Sequence, residues 1–418
     1  MSILEQLSDP QRWEEYYRYK TGLVCPQEDT AKLRAFIDSQ AYLPVCASLQ
    51  RGERFPLPRK SVISKLGSEK KRIVYTYPDA ENTVMKLLTY LILRQYDGLF
   101  CDSLYSFRPE HTAKDAIRAL RKTPGLRQMY AYKVDIHDYF NSVPVERLLS
   151  PLREALRDDP ALYKFIEQVL TEPYVLDRGN RVCERKGIMA GTPLSAFLAN
   201  FYLRELDEAF VAKAVPYARY SDDIILFSQE PDALQAHAEV LRKFLTEYGL
   251  SVNPKKECVT APQEGFSFLG FFCCGGRIDI APVTVRKLKQ KMRRKRDSLQ
   301  RWRTRNGVPG EKAAAAFIRI FNRKLLEQAD DHALTWSRWF FSVINTADSL
   351  REIDAYAQDC MRYLITGTHT KARFRVPYEA LKKLGYRNLV NEYYSFAKLR
   401  SKPGTETENA ALDGAAEE

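Results

Sequence analysis

The chain has 418 residues, a formal net charge of +12 at pH 7 and 45% hydrophobic residues. It is long enough for two or three subdomains with sizeable cores, which excludes a small protein that depends on disulfides to fold. The excess of lysine and arginine predicts attraction to polyanions and salt-sensitive binding, but it does not distinguish RNA from DNA.

The cysteine, histidine and hydropathy patterns argue against a disulfide-bonded protein, a Cys/His metal-binding protein and a membrane-spanning protein. The eight cysteines form no Cys-x-x-Cys framework and the five histidines form no metal-ligand cluster, so we expect reduced thiols. The first residues lack the basic and apolar regions of a signal peptide, and no apolar run approaches the length of a membrane span. We therefore expect a cytoplasmic protein that does not contact a membrane.

The first predicted elements are helices in residues 1–60, where aromatic side chains such as Trp13 pack in a core or line a binding path. Residues 65–72 are basic and contain a glycine, and they precede a β-rich run, which predicts a hairpin. Lys65, Lys71 and Arg72 are suited to hold phosphate there, Arg72 best because of its planar fork. A solvated basic loop is the ordinary alternative.

A strand is predicted at residues 130–137. Tyr130, Tyr132, Val134 and Ile136 alternate with less apolar residues, so the strand carries Asp135 on the face opposite its apolar side chains.

A turn before a helix is predicted around Gly191. This glycine permits close backbone approach to a ligand, while Thr192 is suited to cap the helix and Pro193 to begin it.

A second hairpin is predicted at residues 217–227, where Ser221, Asp222 and Asp223 interrupt two β-forming runs. Adjacent aspartates are common in ordinary turns, so the pair is a hypothesis that needs context. Context comes from Asp135, because the face that carries it can meet the tip of the hairpin. Three carboxylates at one point would supply hard oxygen ligands for two Mg²⁺ ions about 3.5–4 Å apart, as nucleotidyl transfer requires.

Beyond residue 281 the sequence predicts helices. The apolar residues on helical spacing are Val285, Leu288, Met292, Leu299 and Trp302. Lys and Arg crowd between them, Arg293, Arg294 and Arg296 among them. Such a helix tracks duplex phosphate with its basic face, or that face is simply solvated. Basic segments with interleaved aromatics at residues 371–377 and 382–387 resemble RNA-binding surface, although the aromatics there are equally suited to a core.

Taken in order, the motifs resemble those of reverse transcriptases. The resemblance spans about residues 60 to 275 and is closest to the bacterial branch of group II intron enzymes, retrons and defence-associated reverse transcriptases. Its motifs are the segments at residues 65–72, 105–116, 135–142, 186–200, 220–223, 249–256 and 266–272.

The resemblance implies a right-hand polymerase, an α+β fold with fingers, an antiparallel palm sheet and a helical thumb. The domains would be an N-terminal helical extension at 1–60, fingers and palm at 61–280, and a thumb and RNA-binding extension at 281–400. Residues 401–418 are rich in Gly, Thr, Ala and Glu without apolar periodicity, which predicts a disordered acidic tail.

The resemblance also implies residue roles. The metal ligands would be Asp135, Asp222, Asp223 and the carbonyl of Ile136, with two Mg²⁺ ions or Mn²⁺ as a substitute. Lys256 would protonate the departing pyrophosphate.

Further residues would contact the nucleotide or the nucleic acid. Phe140 would exclude a ribose 2′-hydroxyl, unless it is a buried strand end. Gly191 would lie at the nucleotide, and Arg108 would contact nucleic acid. Ala190 departs from the glutamine common in the family, which puts the geometry of nucleotide recognition in question.

Three functional classes follow from the sequence. The first is an RNA-directed DNA polymerase that uses an RNA template, a DNA or RNA primer and dNTPs, with a dedicated non-coding RNA and a role in antiphage defence. The second is an enzyme of the same fold that adds nucleotides without a template. The third is a group II intron maturase or an RNA-binding splicing protein. Template, primer and oligomeric state stay open.

Overall fold

The computed structural model describes residues 2–23, 27–64, 71–327 and 336–400. The chain divides into two compact units, one up to Thr260 and one from Ala261. The predicted boundaries at residues 60 and 280 differ from this division. Trp13 stacks on Tyr42 and both are buried in the core of the first unit, so the first 60 residues pack as part of that unit.

The first unit consists of helices around two four-stranded sheets. Its helices in the described ranges are α1 (Ile3–Gln6), α2 (Pro10–Gly22), α3 (Gln27–Asp38), α4 (Leu43–Gln50), α5 (Asp79–Gln95), α6 (Ala113–Lys122), α7 (Tyr139–Ser142), α8 (Val145–Ala155), α9 (Pro160–Thr171), α10 (Ser195–Tyr202), α11 (Arg204–Ala212) and α12 (Pro231–Glu247). Its strands are β1 (Arg59–Ser64), β2 (Lys71–Thr76), β3 (Tyr130–Asp135), β4 (Tyr174–Asp177), β5 (Asn180–Cys183), β6 (Tyr217–Tyr220), β7 (Asp223–Ser228) and β8 (Cys258–Thr260).

The central sheet has the strand order β6-β7-β3-β8, and every neighbouring pair is antiparallel. Strands β6 and β7 form the hairpin that the sequence predicted, with a two-residue turn between Tyr220 and Asp223. Because β3 lies beside β7, the strand that carries Asp135 is a direct neighbour of this hairpin. The prediction of an α+β fold with an antiparallel sheet is confirmed.

The second sheet of this unit, in the order β2-β1-β4-β5, contains the basic hairpin. Strands β1 and β2 are antiparallel, with Ile63 opposite Arg72 and Ser64 opposite Lys71. Lys65 lies outside the described residues. Strand β4 joins β1 in parallel, so the sheet is mixed.

The second unit begins with a three-stranded antiparallel sheet and continues as helices. Its described elements are β9 (Phe266–Phe268), β10 (Phe271–Cys274), β11 (Arg277–Ile280), α13 (Pro282–Asn306), α14 (Gly310–Leu325), α15 (Trp336–Phe341), α16 (Asp348–Thr366), α17 (Ala372–Arg375), α18 (Tyr378–Lys383) and α19 (Leu389–Arg400). The predicted basic amphipathic helix is α13, which buries Val285, Met292 and Leu299. Of the other two residues on the predicted apolar face, Leu288 is only partly buried and Trp302 is exposed. The predicted acidic tail at 401–418 lies outside the described residues.

No helix in the described ranges is both long enough and apolar enough to span a bilayer. Seven cysteines fall in these ranges, and all seven are free thiols, as the sequence predicted.

Candidate active site

The carboxylates of the candidate site converge because of the register of the central sheet. Asp135 ends β3 directly opposite Asp223, which begins β7. Asp222 occupies the turn before Asp223, and its carbonyl accepts a hydrogen bond from the Ile136 amide at 3.0 Å. The backbone therefore brings the three predicted carboxylate residues to one end of the sheet.

The electrostatics of this end show that the carboxylates influence one another. Burial, together with the negative charges of Asp223 and Asp135, raises the pKa of Asp222 to about 6. Such crowding of negative charge in a half-buried position is unfavourable unless a cation offsets it.

Two lysines supply positive charge at this end of the sheet. Lys256 donates a hydrogen bond from its ammonium to the Asp135 carboxylate, and the Asn253 side-chain amide donates to the other oxygen at 3.1 Å. Lys133 lies 3.5 Å from Asp223. The resemblance implied a role for Lys256 in the reaction, but not this direct contact of its ammonium with the Asp135 carboxylate.

A divalent ion needs oxygen ligands, and aspartates at the end of a sheet provide them. In the described part of the chain, however, no three His, Cys, Asp or Glu side chains are already arranged as a metal site. The carboxylate oxygens are suitable ligands for Mg²⁺, but in this structure the Lys256 ammonium is bonded to the Asp135 carboxylate. An ion that uses Asp135 must therefore compete with Lys256.

A buried polar network holds the turn that carries Asp222. The Ser221 amide donates to the Ser106 hydroxyl at 2.8 Å, and that hydroxyl donates to the Asn200 side chain at 3.0 Å. Ser221 adopts a left-handed backbone with φ +55°, which is uncommon outside glycine, asparagine and aspartate. The network therefore fixes a turn that this sequence does not favour by itself.

The guanidinium of Arg219 extends this network across two helices. It is completely buried and donates to Asp207 of α11 at 2.7 and 2.5 Å, and to the Asn200 carbonyl of α10 at 3.0 Å. Tyr217 donates its hydroxyl to the same Asp207 at 2.8 Å. Sequence reasoning missed this network, although an arginine in the middle of a β-forming run was a visible signal.

The segment that contains the predicted Arg108 is placed against the edge strand β6. The Tyr105 amide donates to the Arg219 carbonyl at 3.0 Å, which covers that edge. Arg108 itself is directed inwards: it donates to both oxygens of Asp97 at 2.8 and 3.0 Å and to the carbonyls of Cys101 and Leu104. Its side chain is only 4% exposed, so the prediction that it contacts nucleic acid is wrong.

Phe140 lies on α7, the short helix that follows Asp135. Its ring is half-buried, meeting Tyr139 at 5.6 Å and Phe107 at 6.5 Å between centroids. One part of the ring packs on the core and another part is accessible. Its role as a gate against ribonucleotides stays a prediction.

The loop before α10 joins the strand β2 to this helix. The Tyr75 amide donates to the Ala190 carbonyl at 2.8 Å, and the Ala190 amide donates to the Asn141 side chain at 3.2 Å. Gly191 has φ +95°, and a Cβ there would stand 3.1 Å from the Tyr75 carbonyl and from Val74. The close approach that requires this glycine is therefore to β2.

Two details of this loop differ from the prediction. The Thr192 hydroxyl donates to the Met189 carbonyl at 2.9 Å instead of capping a helix, and α10 begins at Ser195 rather than at Pro193. Gly187 has a stricter requirement than Gly191, because a Cβ there would lie 2.5 Å from the Phe140 carbonyl. Gly187 lies in the motif at residues 186–200, but the sequence by itself assigned it no role.

The predicted phosphate-binding residues of β2 are accessible. Lys71 and Arg72 are both exposed at the start of that strand. Their contact with the nucleotide stays a prediction.

The predicted nucleic-acid contacts of the second unit fall into two groups. Arg293 and Arg294 are exposed on α13. The Arg296 side chain is only 13% exposed, because it bonds to Asp297 and lies over the Tyr363 ring at 4.9 Å. Arg296 therefore packs between α13 and α16 and presents little surface, and its contact with nucleic acid stays a prediction.

An antiparallel sheet that places a strand-borne aspartate beside a hairpin with two more defines a right-hand nucleic-acid polymerase. The sequence model of reverse transcriptases (RNA-dependent DNA polymerases) matches residues 63–273, half of the chain. The protein therefore belongs to the reverse transcriptase family.

Its relatives include proteins of the branch that the motifs predicted. The group II intron-encoded protein LtrA of Lactococcus lactis subsp. cremoris is 23% identical over 202 residues, which cover 47% of this chain and 32% of LtrA. The retron Ec86 reverse transcriptase of Escherichia coli is 22% identical over 235 residues, which cover 55% of this chain and 67% of the relative. The match thus spans about a third of the length of LtrA.

Among solved structures, apo telomerase from Candida tropicalis, truncated from its C-terminal domain, matches with 13% identity and a TM-score of 0.44. The match covers 54% of this chain and 55% of that one. This similarity is too low to support a structural argument.

Proposed function

We propose that this protein is an RNA-directed DNA polymerase that copies an RNA template into complementary DNA. The observation that carries the proposal is the register of Asp135 opposite Asp223, with Asp222 on the adjoining turn. Membership of the reverse transcriptase family supports it independently. The substrates are dNTPs, an RNA template and the 3′-hydroxyl of a DNA or RNA primer.

The metal chemistry of the proposal rests on the three carboxylates. Asp135, Asp222 and Asp223, with the Ile136 carbonyl as a further ligand, would hold the Mg²⁺ ions, or Mn²⁺ as a substitute. When bound, these ions would supply activation of the primer hydroxyl and neutralisation of the leaving pyrophosphate. The raised pKa of Asp222 supports the assignment, because a cation relieves the repulsion among these side chains.

Other residues position the reactants. Phe140 follows Asp135 closely and presents part of its ring, which suits a steric filter at the sugar. Lys71 and Arg72 hold the incoming phosphates. Lys256 delivers a proton to the departing pyrophosphate, and its contact with Asp135 supports a place beside the reacting groups.

The finer proposal is a dedicated non-coding RNA as partner and a role in antiphage defence. It is motivated by the resemblance of the motifs to the branch of retrons and defence-associated reverse transcriptases, and the retron Ec86 reverse transcriptase is among the relatives of this chain. The group II intron relative equally supports an intron maturase.

A second candidate is untemplated nucleotide addition. It is favoured by Ala190, whose amide and carbonyl are used within the protein and whose methyl group cannot replace the hydrogen bonds of a glutamine.

Sequencing of the products separates these candidates. The protein is purified with its bound nucleic acid, supplied with Mg²⁺ and dNTPs, and compared with an Asp222→Ala/Asp223→Ala variant. Complementary DNA that maps to one co-purified RNA is the expected result and identifies the RNA partner. Homopolymer or random product from the unaltered protein would contradict templated synthesis and support untemplated nucleotide addition.

A further inference from the structure

The positive charge of the chain is concentrated in its second unit. Residues 261–400 contain 27 Lys and Arg against 13 Asp and Glu, a net charge of +14. Residues 1–260 contain 37 against 35, a net charge of +2. The attraction of this protein to polyanions therefore comes mainly from the second unit.

One corner of this unit combines exposed cations with an exposed aromatic ring. After α16 the chain turns at Gly367 and enters the short helix α17 through Lys371, which has a left-handed backbone with φ +54°. Within five residues, Lys371, Arg373, Phe374 and Arg375 are all exposed. Phe374 is 87% exposed, whereas the other large hydrophobic side chains counted as exposed in the described residues reach at most 62%.

The exposure of Phe374 is imposed by its neighbours. Ala372 and Val376 on either side are buried, and the buried Arg362 of α16 donates a hydrogen bond to the Val376 carbonyl at 3.0 Å. With both flanks fixed on α16, the ring between them cannot turn into the core. A single exposed apolar residue is ordinary, but a fixed aromatic ring among three cations is a specific arrangement.

The basic surface of α13 reaches the same corner. The guanidinium of Arg303 lies 3.9 Å from the position of a Cβ on Gly367. Cations therefore continue from the end of α16 onto the longer basic helix.

We propose that Phe374 is a stacking platform for an unpaired base of a nucleic-acid strand, whose adjacent phosphates contact Lys371, Arg373 and Arg375. A planar ring stacks on any base, and flanking cations bind the backbone without reading sequence. The inference rests on the proposed function for the class of ligand and adds where that ligand is held. An acidic peptide would use the cations alone, so the ring favours nucleic acid.

The test measures binding by the full-length protein, without dNTPs, to a fluorescent 12-nucleotide single-stranded RNA, the same sequence as DNA, and an RNA duplex. The variants are Phe374→Ala, Phe374→Leu and Phe374→Trp. Alanine and leucine are expected to weaken single-strand binding about tenfold, and tryptophan to retain it. Duplex binding is expected to stay unchanged, and the RNA and DNA arms identify the strand that is preferred.

Retained single-strand affinity in Phe374→Ala would overturn the proposal, and so would full rescue by leucine, because leucine is apolar but cannot stack. Binding of poly-glutamate that depends on Phe374, with RNA binding unchanged, would assign the surface to a protein partner and overturn it as well. Thermal melting checks that the variants fold.

The outcome is separate from that of the proposed function. A protein that binds unpaired strands through Phe374 but incorporates no nucleotide retains this inference and rejects the polymerase. An active polymerase whose Phe374 variants bind single strands normally would retain the proposed function and reject this inference.

Discussion

Residues of the candidate site have neighbours that are close in sequence and partners that are distant in sequence. Only the close neighbours can be inferred from the sequence. The position of Asp135 on a strand and of Asp222 on a turn follows from local pattern, and both predictions agree with the structure. The contact of Lys256 with Asp135 joins residues 121 positions apart, and no local pattern encodes it. Contacts between residues that are distant in sequence could be identified only from the three-dimensional structure.

The role of Phe140 is tested by changing the size of its ring. Phe140→Ala is expected to raise incorporation of ribonucleotides relative to deoxyribonucleotides, because a 2′-hydroxyl then meets no ring. Steady-state incorporation of paired rNTP and dNTP substrates measures the ratio.

Phe140→Tyr is the matched control, since it keeps the ring and should keep the preference. An unchanged ratio in Phe140→Ala, in a protein that still melts normally, would mean that the ring is part of the core.

The Ser106 hydroxyl is expected to stabilise the turn that carries Asp222. Ser106→Ala leaves the buried Ser221 amide without its acceptor, which costs about 1–3 kcal/mol of unfolding free energy. We expect a lower kcat for incorporation at the same time, with primer affinity unchanged. Urea unfolding and single-turnover kinetics measure the two effects.

Ser103→Ala is the control for this variant, because no hydrogen bond of the Ser103 hydroxyl to the turn that carries Asp222 is found in the described chain. It should change neither quantity. If both serine variants behaved alike, the hydrogen bond to Ser221 would have no special role.

At the scale of elements, the hydrophobic pattern of the sequence predicted strands and hairpins well. It did not predict which charged side chains face solvent. The hairpins at β1–β2 and β6–β7 and the amphipathic helix α13 follow from alternation and helical spacing. Arg108 and Arg296 were predicted to contact nucleic acid, whereas the fold pairs Arg108 with Asp97 and places Arg296 over the ring of Tyr363. A charge pattern gives the sign of a side chain, and packing decides whether it faces solvent.

The ion pair between Arg219 and Asp207 joins β6 to α11 in the interior of the first unit. Asp207→Ala leaves a buried guanidinium without its carboxylate, so we expect the unfolding free energy to fall by about 3–5 kcal/mol. Urea unfolding followed by circular dichroism measures it.

The comparison is Glu154→Ala, which breaks an exposed pair with Arg157 on the surface of the same unit and should change little. Similar small effects for both variants would show that the buried pair does not hold the strand.

At the scale of the whole molecule, the candidate catalytic carboxylates and most of the net positive charge lie in different units. The carboxylates lie in a unit that is nearly neutral overall, and the second unit carries the basic excess. The total of +12 predicted polyanion binding but could not locate it. The sequence placed a boundary at residue 280, where the composition changes to the basic helix α13, whereas the structure groups β9 to β11 with that helix in the second unit.

Exposed arginines of α13 should contribute to the salt dependence of duplex binding. Replacing Arg293 and Arg294 by glutamine is expected to reduce the slope of log affinity against log salt by about 0.9 for each phosphate that the protein no longer neutralises. Binding of duplex nucleic acid across a salt series measures the slope.

Arg153→Gln/Arg157→Gln removes two exposed charges from the first unit and serves as the control. An equal change of slope in both double variants would indicate general electrostatics rather than direct binding of phosphate by α13.

The central claim, that Asp135, Asp222 and Asp223 form the catalytic centre of a reverse transcriptase, is tested most directly by primer extension on a defined RNA template. The purified protein and an Asp222→Asn variant, which keeps the size of the side chain, are compared across a Mg²⁺ titration. We expect Mg²⁺-dependent extension by the unaltered protein, and loss of extension in the variant with RNA binding intact. Full extension by Asp222→Asn would contradict the assignment of the site.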